Sequence, residues 1–260
     1  MEGYSACIVV MHNYPFVFYY LWVAPHVLLG AVAGLMYRRR LQKTFPIFFT
    51  YILFEIFEFA LLFTCYLVGN GLGAVYRYAY ISTLALSTAL RFGIIQEIFD
   101  NVFADYSNLE KLATLVMRIV TVVLIVAATV LALYNQGSVS SSVIAGVRLL
   151  ERSVTVIQVG LLLFLFIFSR MFGISWRSYT FGVAFGFAVF ASAQLAEWTI
   201  SLLNLGEAAK NQLDLLATGS YHVCVLIWLV YLLTAEKAVS TGVYAVPDLE
   251  RWSGELERSQ

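Results

Sequence analysis

Charge is scarce in this sequence. Charged residues make up 12% of its 260 residues and hydrophobic residues 61%, whereas soluble domains contain about 25% charged and about 45–50% apolar residues. The mean hydropathy is +0.81. A soluble fold cannot bury that much apolar surface, so the composition predicts an all-α, polytopic integral membrane protein in the lipid bilayer of the cell (plasma or inner) membrane.

Metal ligands are scarce as well. The chain has 3 cysteines and 3 histidines, and their spacing matches no zinc or cluster framework. A membrane zinc hydrolase needs closely spaced histidines on one helix, whereas His12, His26 and His222 lie far apart. The sequence contains no P-loop, Rossmann or nucleophile-elbow motif, so we predict no metal site, no catalytic residue and a role other than catalysis.

Long apolar stretches dominate what is present. Seven of them are close to the length that crosses about 30 Å of hydrocarbon. They predict a seven-helix transmembrane domain over residues 1–235 and a short cytoplasmic tail at 236–260. The third stretch is the least regular, because its end, "FGIIQEIFDNVF", is amphipathic. The predicted spans are 16–37, 45–68, 74–98, 112–134, 142–169, 179–203 and 212–235.

The basic residues predict the orientation of these spans. The net charge is zero, with 16 basic and 16 acidic residues, which gives nucleic-acid binding no electrostatic support. Lysine and arginine nevertheless concentrate in the first, third and fifth loops and in the tail, so the N-terminus is predicted outside and the C-terminus in the cytoplasm. The N-terminal segment has no basic region or cleavage site, and we expect it to be retained. Cys7 and Cys65 then lie near the outer face, where a disulfide and two free thiols are both open alternatives.

The fifth span carries an unusual set of charges. Arg148, Glu151, Arg152, Thr155 and Gln158 fall on one helical arc, and valine, isoleucine and leucine fill the opposite arc. Each charge inside a bilayer costs about 2.5–3.5 kcal/mol, so the polar arc is expected to face protein or water. Counted from the outer end of the span, Arg152 lies about 15 Å deep, near the midplane.

Polar residues in other spans are candidate partners for this arc. Glu55 and Glu58 are three residues apart, hence on one face of the second span. Two arginines beside a glutamate favour an anionic or zwitterionic ligand, because guanidinium offers planar paired donors. Arg91 and Arg118 are expected to have structural roles, and a purely structural ion-pair network is the alternative for the whole set. The residues predicted to bind a ligand in an outward-facing polar chamber are Arg148, Glu151, Arg152, Glu55, Glu58, Glu197, Asp214 and His222.

Cofactor chemistry receives little support. A retinal protein needs a Schiff-base lysine within the seventh span, and that span has none, which excludes this class. Haem b held axially by His26 and His222 is a weak alternative, because both histidines are expected near the midplane on the first and last spans. We therefore predict no cofactor.

Three functional hypotheses follow. The first is a receptor-like or sensory protein that binds a small molecule in the outer chamber and signals through a membrane or cytoplasmic partner, or as a homo-oligomer. The second is a transporter or channel for a small solute or protons with a 3+1+3 helix arrangement, suggested by a weak repeat between residues 37–62 and 169–203. The repeat pairs Glu55 with Gln194 and Glu58 with Glu197. The third is an accessory subunit of a membrane complex.

Overall fold

The fold was analysed in a computed structural model of the chain, which describes residues 15–68, 73–103, 122, 126, 139–168, 177–201 and 207–234. These residues form helices and short turns, without any strand. A 3₁₀ turn, Leu41–Lys43, joins the first two helices. The helices are α1 (Pro15–Arg38), α2 (Pro46–Val68), α3 (Gly73–Phe103), α4 (Val139–Phe168), α5 (Tyr179–Ser201) and α6 (Glu207–Thr234).

The six helices coincide with six of the seven predicted spans. The fourth predicted span, 112–134, lies outside the described residues except for Val122 and Val126, and so does the predicted tail, 236–260. The third predicted span ends near residue 98, and helix α3 continues to Phe103. Ile98 and Phe99 are buried in this last part of the helix.

Five of these helices are long and apolar enough to cross a membrane. Helix α4 is 30 residues long and carries Arg148, Glu151 and Arg152 in its first half. The described part of the chain is therefore a helical bundle with membrane-spanning character. The five apolar stretches are Tyr19–Arg38, Pro46–Cys65, Tyr78–Val102, Tyr179–Ile200 and Leu215–Thr234.

The helices form a ring in chain order. Each described helix packs against the next one along the chain, α6 returns to pack against α1, and α3 also contacts α5 across the ring. An aromatic core joins three of the helices: Phe48 of α2 contacts Phe187 of α5 and Trp228 of α6 at centroid distances of 6.0 and 4.9 Å. The indole Nε1 of Trp228 donates a hydrogen bond to the carbonyl of Val183 at 3.3 Å.

Two glycines allow the close approach of α5 and α6. A Cβ atom placed on Gly186 would lie 2.3 Å from Nε1 of Trp228, and one placed on Gly182 would lie 2.3 Å from Cγ of Tyr231. These positions are four residues apart, so they form one flat strip on α5. Their role here is close packing of helices.

One end of the ring contains the α1–α2 turn with its basic residues, and we call it the basic end; these residues are Arg38, Arg39, Arg40 and Lys43. Side-chain hydrogen bonds connect the helices at this end. Ile47 and Phe48 in the first turn of α2 donate their backbone N–H groups to Oε1 and Oε2 of Glu97 at 2.8 and 2.9 Å. Glu97 is 6% exposed and reaches α2 from α3. Pro46 needs no partner, because proline in the first helical turn has no N–H to satisfy. The carboxylate thus caps a helix about 50 residues away in the sequence.

Arg39 connects further helices at the basic end by hydrogen bonds. Its Nη1 donates to the hydroxyl of Tyr179 at 2.7 Å, and its Nη2 donates to the carbonyl of Leu233 at 3.3 Å. The end of α1, the start of α5 and the end of α6 therefore meet at one level. Phe166 of α4 packs on Phe181 of α5 at 5.1 Å, so α4 also ends there.

Candidate functional site

Arg91 lies at the centre of the ring. It occupies the middle of the apolar stretch of α3 and is 6% exposed. Its Nη1 donates to Oε1 of Gln194 at 3.3 Å, and its Nη2 lies 3.8 Å from Oε1 of Glu151. The second distance is that of an ion pair without a hydrogen bond. The Nε atom is buried and has no acceptor among the described residues.

Glu55 lies beside this arginine, near the middle of the apolar stretch of α2. The hydroxyl of Ser87 donates to its Oε1 at 2.6 Å, and the hydroxyl of Tyr221 donates to its Oε2 at 3.2 Å. The carboxylate thus connects α2, α3 and α6 through two neutral donors.

Glu58 lies one helical turn beyond Glu55. It is close enough to Glu55, Arg91 and Glu151 for their charges to interact, and it lies beside Thr83 of α3. We call Glu55, Glu58, Arg91, Glu151 and Gln194 the polar cluster. It contains three carboxyl groups and one guanidinium group.

The three carboxyl groups of the polar cluster are among the ligand-binding residues predicted from the sequence, whereas Arg91 was expected to have only a structural role. The signal that could have identified Arg91 is the spacing along α3. Thr83, Ser87 and Arg91 are four residues apart, so they lie on one face, and all three are buried. Which neighbours this face meets depends on the rotation of α3 in the bundle.

The polar arc predicted for α4 has a buried part and an exposed part in the structure. Thr155 and Gln158 are both 1% exposed, and Glu151 turns towards Arg91. Arg148 and Arg152, which were expected to face the interior, lie on the exposed side of α4 in the described part of the structure. The arc spans about 120°, which is wide enough to straddle the boundary between the inner and outer faces of the helix.

Arg152 also contacts an aromatic residue of α5. Its guanidinium carbon lies 5.7 Å from the ring centroid of Trp198, and Trp198 is two residues from Ile200, where the apolar stretch of α5 ends. Arginine side chains on a helix lean towards its N-terminus. The guanidinium is therefore displaced from its own Cα atom towards the end of the bundle opposite to the basic end.

The remaining predicted site residues are dispersed. Glu197 is partly buried on α5 beside Trp198 and has an interaction of its own. Asp214 belongs to α6, but its side chain lies outside the described part of the structure. The ring of His222 lies 5.6 Å from the ring of Tyr20 on α1, and its buried Nδ1 has no partner among the described residues.

The two histidines considered for haem lie on neighbouring helices, α1 and α6. His26 stacks on Phe59 at 4.2 Å, lies 5.9 Å from Tyr221, and its Nδ1 is 2.8 Å from the carbonyl of Trp22. Aromatic rings thus fill the space beside both imidazoles. This packing does not fit a porphyrin between them.

The polar cluster offers complementary chemistry at one place. A guanidinium group with an unused N–H can bind a carboxylate or phosphate oxygen, while the carboxyl groups can accept hydrogen bonds from an ammonium group.

Cys65, whose pairing was left open, carries a free thiol, and Cys7 lies outside the described residues. No family model, no curated protein and no solved structure matches this chain.

Proposed function

We propose that the chain is a receptor-like or sensory seven-helix membrane protein that binds a small zwitterionic molecule in the polar cluster. The observation that carries the proposal is the incomplete hydrogen bonding of Arg91. This buried guanidinium has one hydrogen bond to a described residue, an ion pair at 3.8 Å, and an Nε atom with no described acceptor. A carboxylate of a bound ligand would supply the missing oxygen atoms.

The charge balance favours a zwitterion over a simple anion. Glu55, Glu58 and Glu151 surround one arginine, so an anion alone would compete with three carboxyl groups for a single cation. A molecule with a carboxylate and an ammonium group would pair the first with Arg91 and the second with a carboxyl group. Both pairings occur in a buried site, where unpaired charge is costly.

The seven-span topology with the N-terminus outside belongs to the same proposal. Helix α3 ends at the basic end, where Asn101 donates to the carbonyl of Thr44 at 3.4 Å, while α4 ends there and so begins at the opposite end. The end of α3 and the start of α4 thus lie at opposite ends of the ring, which supports a further membrane span between them in the chain. The exposed Arg38, Arg40 and Lys43 support a cytoplasmic basic end in a plasma or inner membrane.

Ligand-induced thermal stabilisation tests the proposed binding. The purified protein is unfolded in detergent with each of the common amino acids, and with matched compounds that lack either the amino or the carboxyl group. At least one amino acid should raise the melting temperature more than both of its matched compounds. Arg91→Gln should abolish the shift, and the exposed Arg152→Gln should retain it. The proposal fails if no zwitterion is distinguished from its matched compounds.

Transport of protons or a small solute is the second candidate. The observation in its favour is Glu55, a carboxyl group at mid-bundle that accepts hydrogen bonds from the neutral hydroxyls of Ser87 and Tyr221. Carboxyl groups at this depth of a membrane bundle are typical of ion and proton pathways. Proteoliposomes with an internal pH-sensitive dye test this: transport predicts a proton flux that Glu55→Gln abolishes, and the receptor proposal predicts none.

A further inference from the structure

Helix α4 presents two arginines on its outer surface. Arg148 and Arg152 are one helical turn apart and both are exposed. Neither forms an ion pair with a described carboxylate. Glu151 is within electrostatic range of both, but its carboxylate is paired with Arg91. The outer face of α4 therefore carries two positive charges that described acidic groups do not neutralise.

Aromatic residues near the ends of the described apolar stretches flank both guanidinium groups. Arg152 lies over Trp198, which is two residues before Ile200 on α5. Arg148 lies within electrostatic range of the exposed Tyr80, which is two residues from Tyr78, where the apolar stretch of α3 begins. Tryptophan and tyrosine favour this level of a membrane, beside the lipid headgroups.

Arg148 and Arg152 need a polar partner, and lipid acyl chains alone cannot supply one. An exposed guanidinium in hydrocarbon is strongly unfavourable, whereas phosphate at the headgroup level is its natural partner. Two arginines one turn apart can each donate paired N–H groups to the oxygens of one phosphodiester. The ring of Trp198 restricts Arg152 and so favours this arrangement.

We propose that Arg148 and Arg152 form a binding site for the phosphate of an anionic phospholipid, flanked by Tyr80 of α3 and Trp198 of α5. A net anionic headgroup matches the two positive charges, whereas the choline of a zwitterionic phospholipid would be repelled by them. This site lies on the outside of the ring, and it does not depend on a ligand in the polar cluster.

Short-chain phospholipids test this site. The full-length protein is unfolded thermally in detergent with dihexanoyl phosphatidylglycerol, dihexanoyl phosphatidylcholine or inorganic phosphate. Phosphatidylglycerol should raise the melting temperature of the natural sequence, and the other two should not. In Arg148→Gln/Arg152→Gln the concentration needed for half of the shift should rise about tenfold or more, because two charge-assisted contacts are lost.

Matched variants distinguish binding at Arg148 and Arg152 from nonspecific attraction of the lipid to any pair of exposed arginines. Arg38→Gln/Arg40→Gln removes two exposed arginines at the basic end and should retain the phosphatidylglycerol shift. Arg148→Lys/Arg152→Lys keeps the charge and the fold, and should bind between the natural and the glutamine variants. Glu197→Gln should leave the affinity unchanged or raise it, because it removes a negative charge near the phosphate.

Other outcomes would overturn the proposal. An equal shift with inorganic phosphate would mean a site for free anions. Equal losses in the two glutamine double variants would mean nonspecific attraction. No shift with phosphatidylglycerol would mean that a protein segment or a partner protein, and not a lipid, covers this face of α4.

Discussion

The Nη2 atom of Arg91 lies 3.8 Å from Oε1 of Glu151, within a ring of six helices. The two residues come from α3 and α4, and both are largely shielded from solvent, with side chains 7% and 16% exposed. Buried opposite charges stabilise a fold only when both are present, because either one alone keeps the cost of its desolvation. This pair therefore connects the stability of the bundle to the chemistry of the polar cluster.

Gly186→Ala should destabilise the bundle. The new Cβ would lie 2.3 Å from Nε1 of Trp228, and the aromatic core leaves this indole little room to move. Overpacking of this kind costs about 1–3 kcal/mol. Thermal unfolding in detergent measures the effect, with Gly34→Ala as the control.

The control position differs only in its surroundings. A Cβ on Gly34 would meet no described neighbour within 4 Å, and replacing glycine by alanine within a helix stabilises by about 0.5–1 kcal/mol. The two substitutions should therefore have opposite signs. Equal effects would contradict the close packing of α5 against α6.

Glu97→Gln should loosen the start of α2. An amide oxygen can accept from Ile47 or Phe48 but does not offer two equivalent acceptors, so one buried N–H loses its partner at a cost of about 1–3 kcal/mol. Hydrogen exchange should accelerate at those two amides. The amide of Phe49, which donates to the carbonyl of Phe45 at 3.0 Å, serves as the internal control. Unchanged protection at Ile47 and Phe48 would contradict the capping role.

The sequence predicts the helices well because their signal is local. An apolar stretch of about 20 residues is sufficient to predict a membrane-spanning helix, and the spacing of Glu55 and Glu58 is sufficient to place them on one face. The cap formed by Glu97 is not predictable in this way. Its acceptor atoms and the donors on Ile47 and Phe48 are brought together only by tertiary packing.

The polar cluster was predictable in part, for a related reason. Spacing groups the polar residues of α4 into one arc, but it does not say where the boundary between the inner and outer faces cuts that arc. Packing puts Glu151 on the inner side and Arg152 on the outer side. The same limit applies to Arg91, whose partners depend on how α3 is rotated against α4 and α5.

Tyr221→Phe should destabilise the protein through Glu55. The change removes the hydroxyl that donates to Oε2 of Glu55 at 3.2 Å while keeping the ring. Loss of one donor to a buried carboxylate costs about 1–3 kcal/mol. Denaturation with and without Glu55→Gln measures the coupling, and the cost should shrink when the acceptor is a neutral amide. Tyr78→Phe, at a side chain 58% exposed, is the matched control. An equal cost in both backgrounds would contradict the hydrogen bond.

Arg152→Leu should change stability much less than a substitution inside the ring. Its guanidinium is exposed and contacts the ring of Trp198, a cation–π contact worth about 0.5–1 kcal/mol at such sites. The free energy of unfolding in phosphatidylcholine micelles, which offer no anionic headgroup, should fall by about that amount. A loss several times larger would mean that Arg152 belongs to the buried network.

A double-mutant cycle on Arg91 and Glu151 tests the polar cluster most directly. Arg91→Leu should lower the free energy of unfolding by about 3–5 kcal/mol, because it leaves buried carboxyl groups without their cation. Arg91→Leu/Glu151→Leu should cost less than the sum of the single changes, with a coupling energy of about 0.5–3 kcal/mol. Additive effects, or a loss for Arg91→Leu no larger than that for Arg152→Leu, would contradict a buried, interacting pair at the centre of the ring.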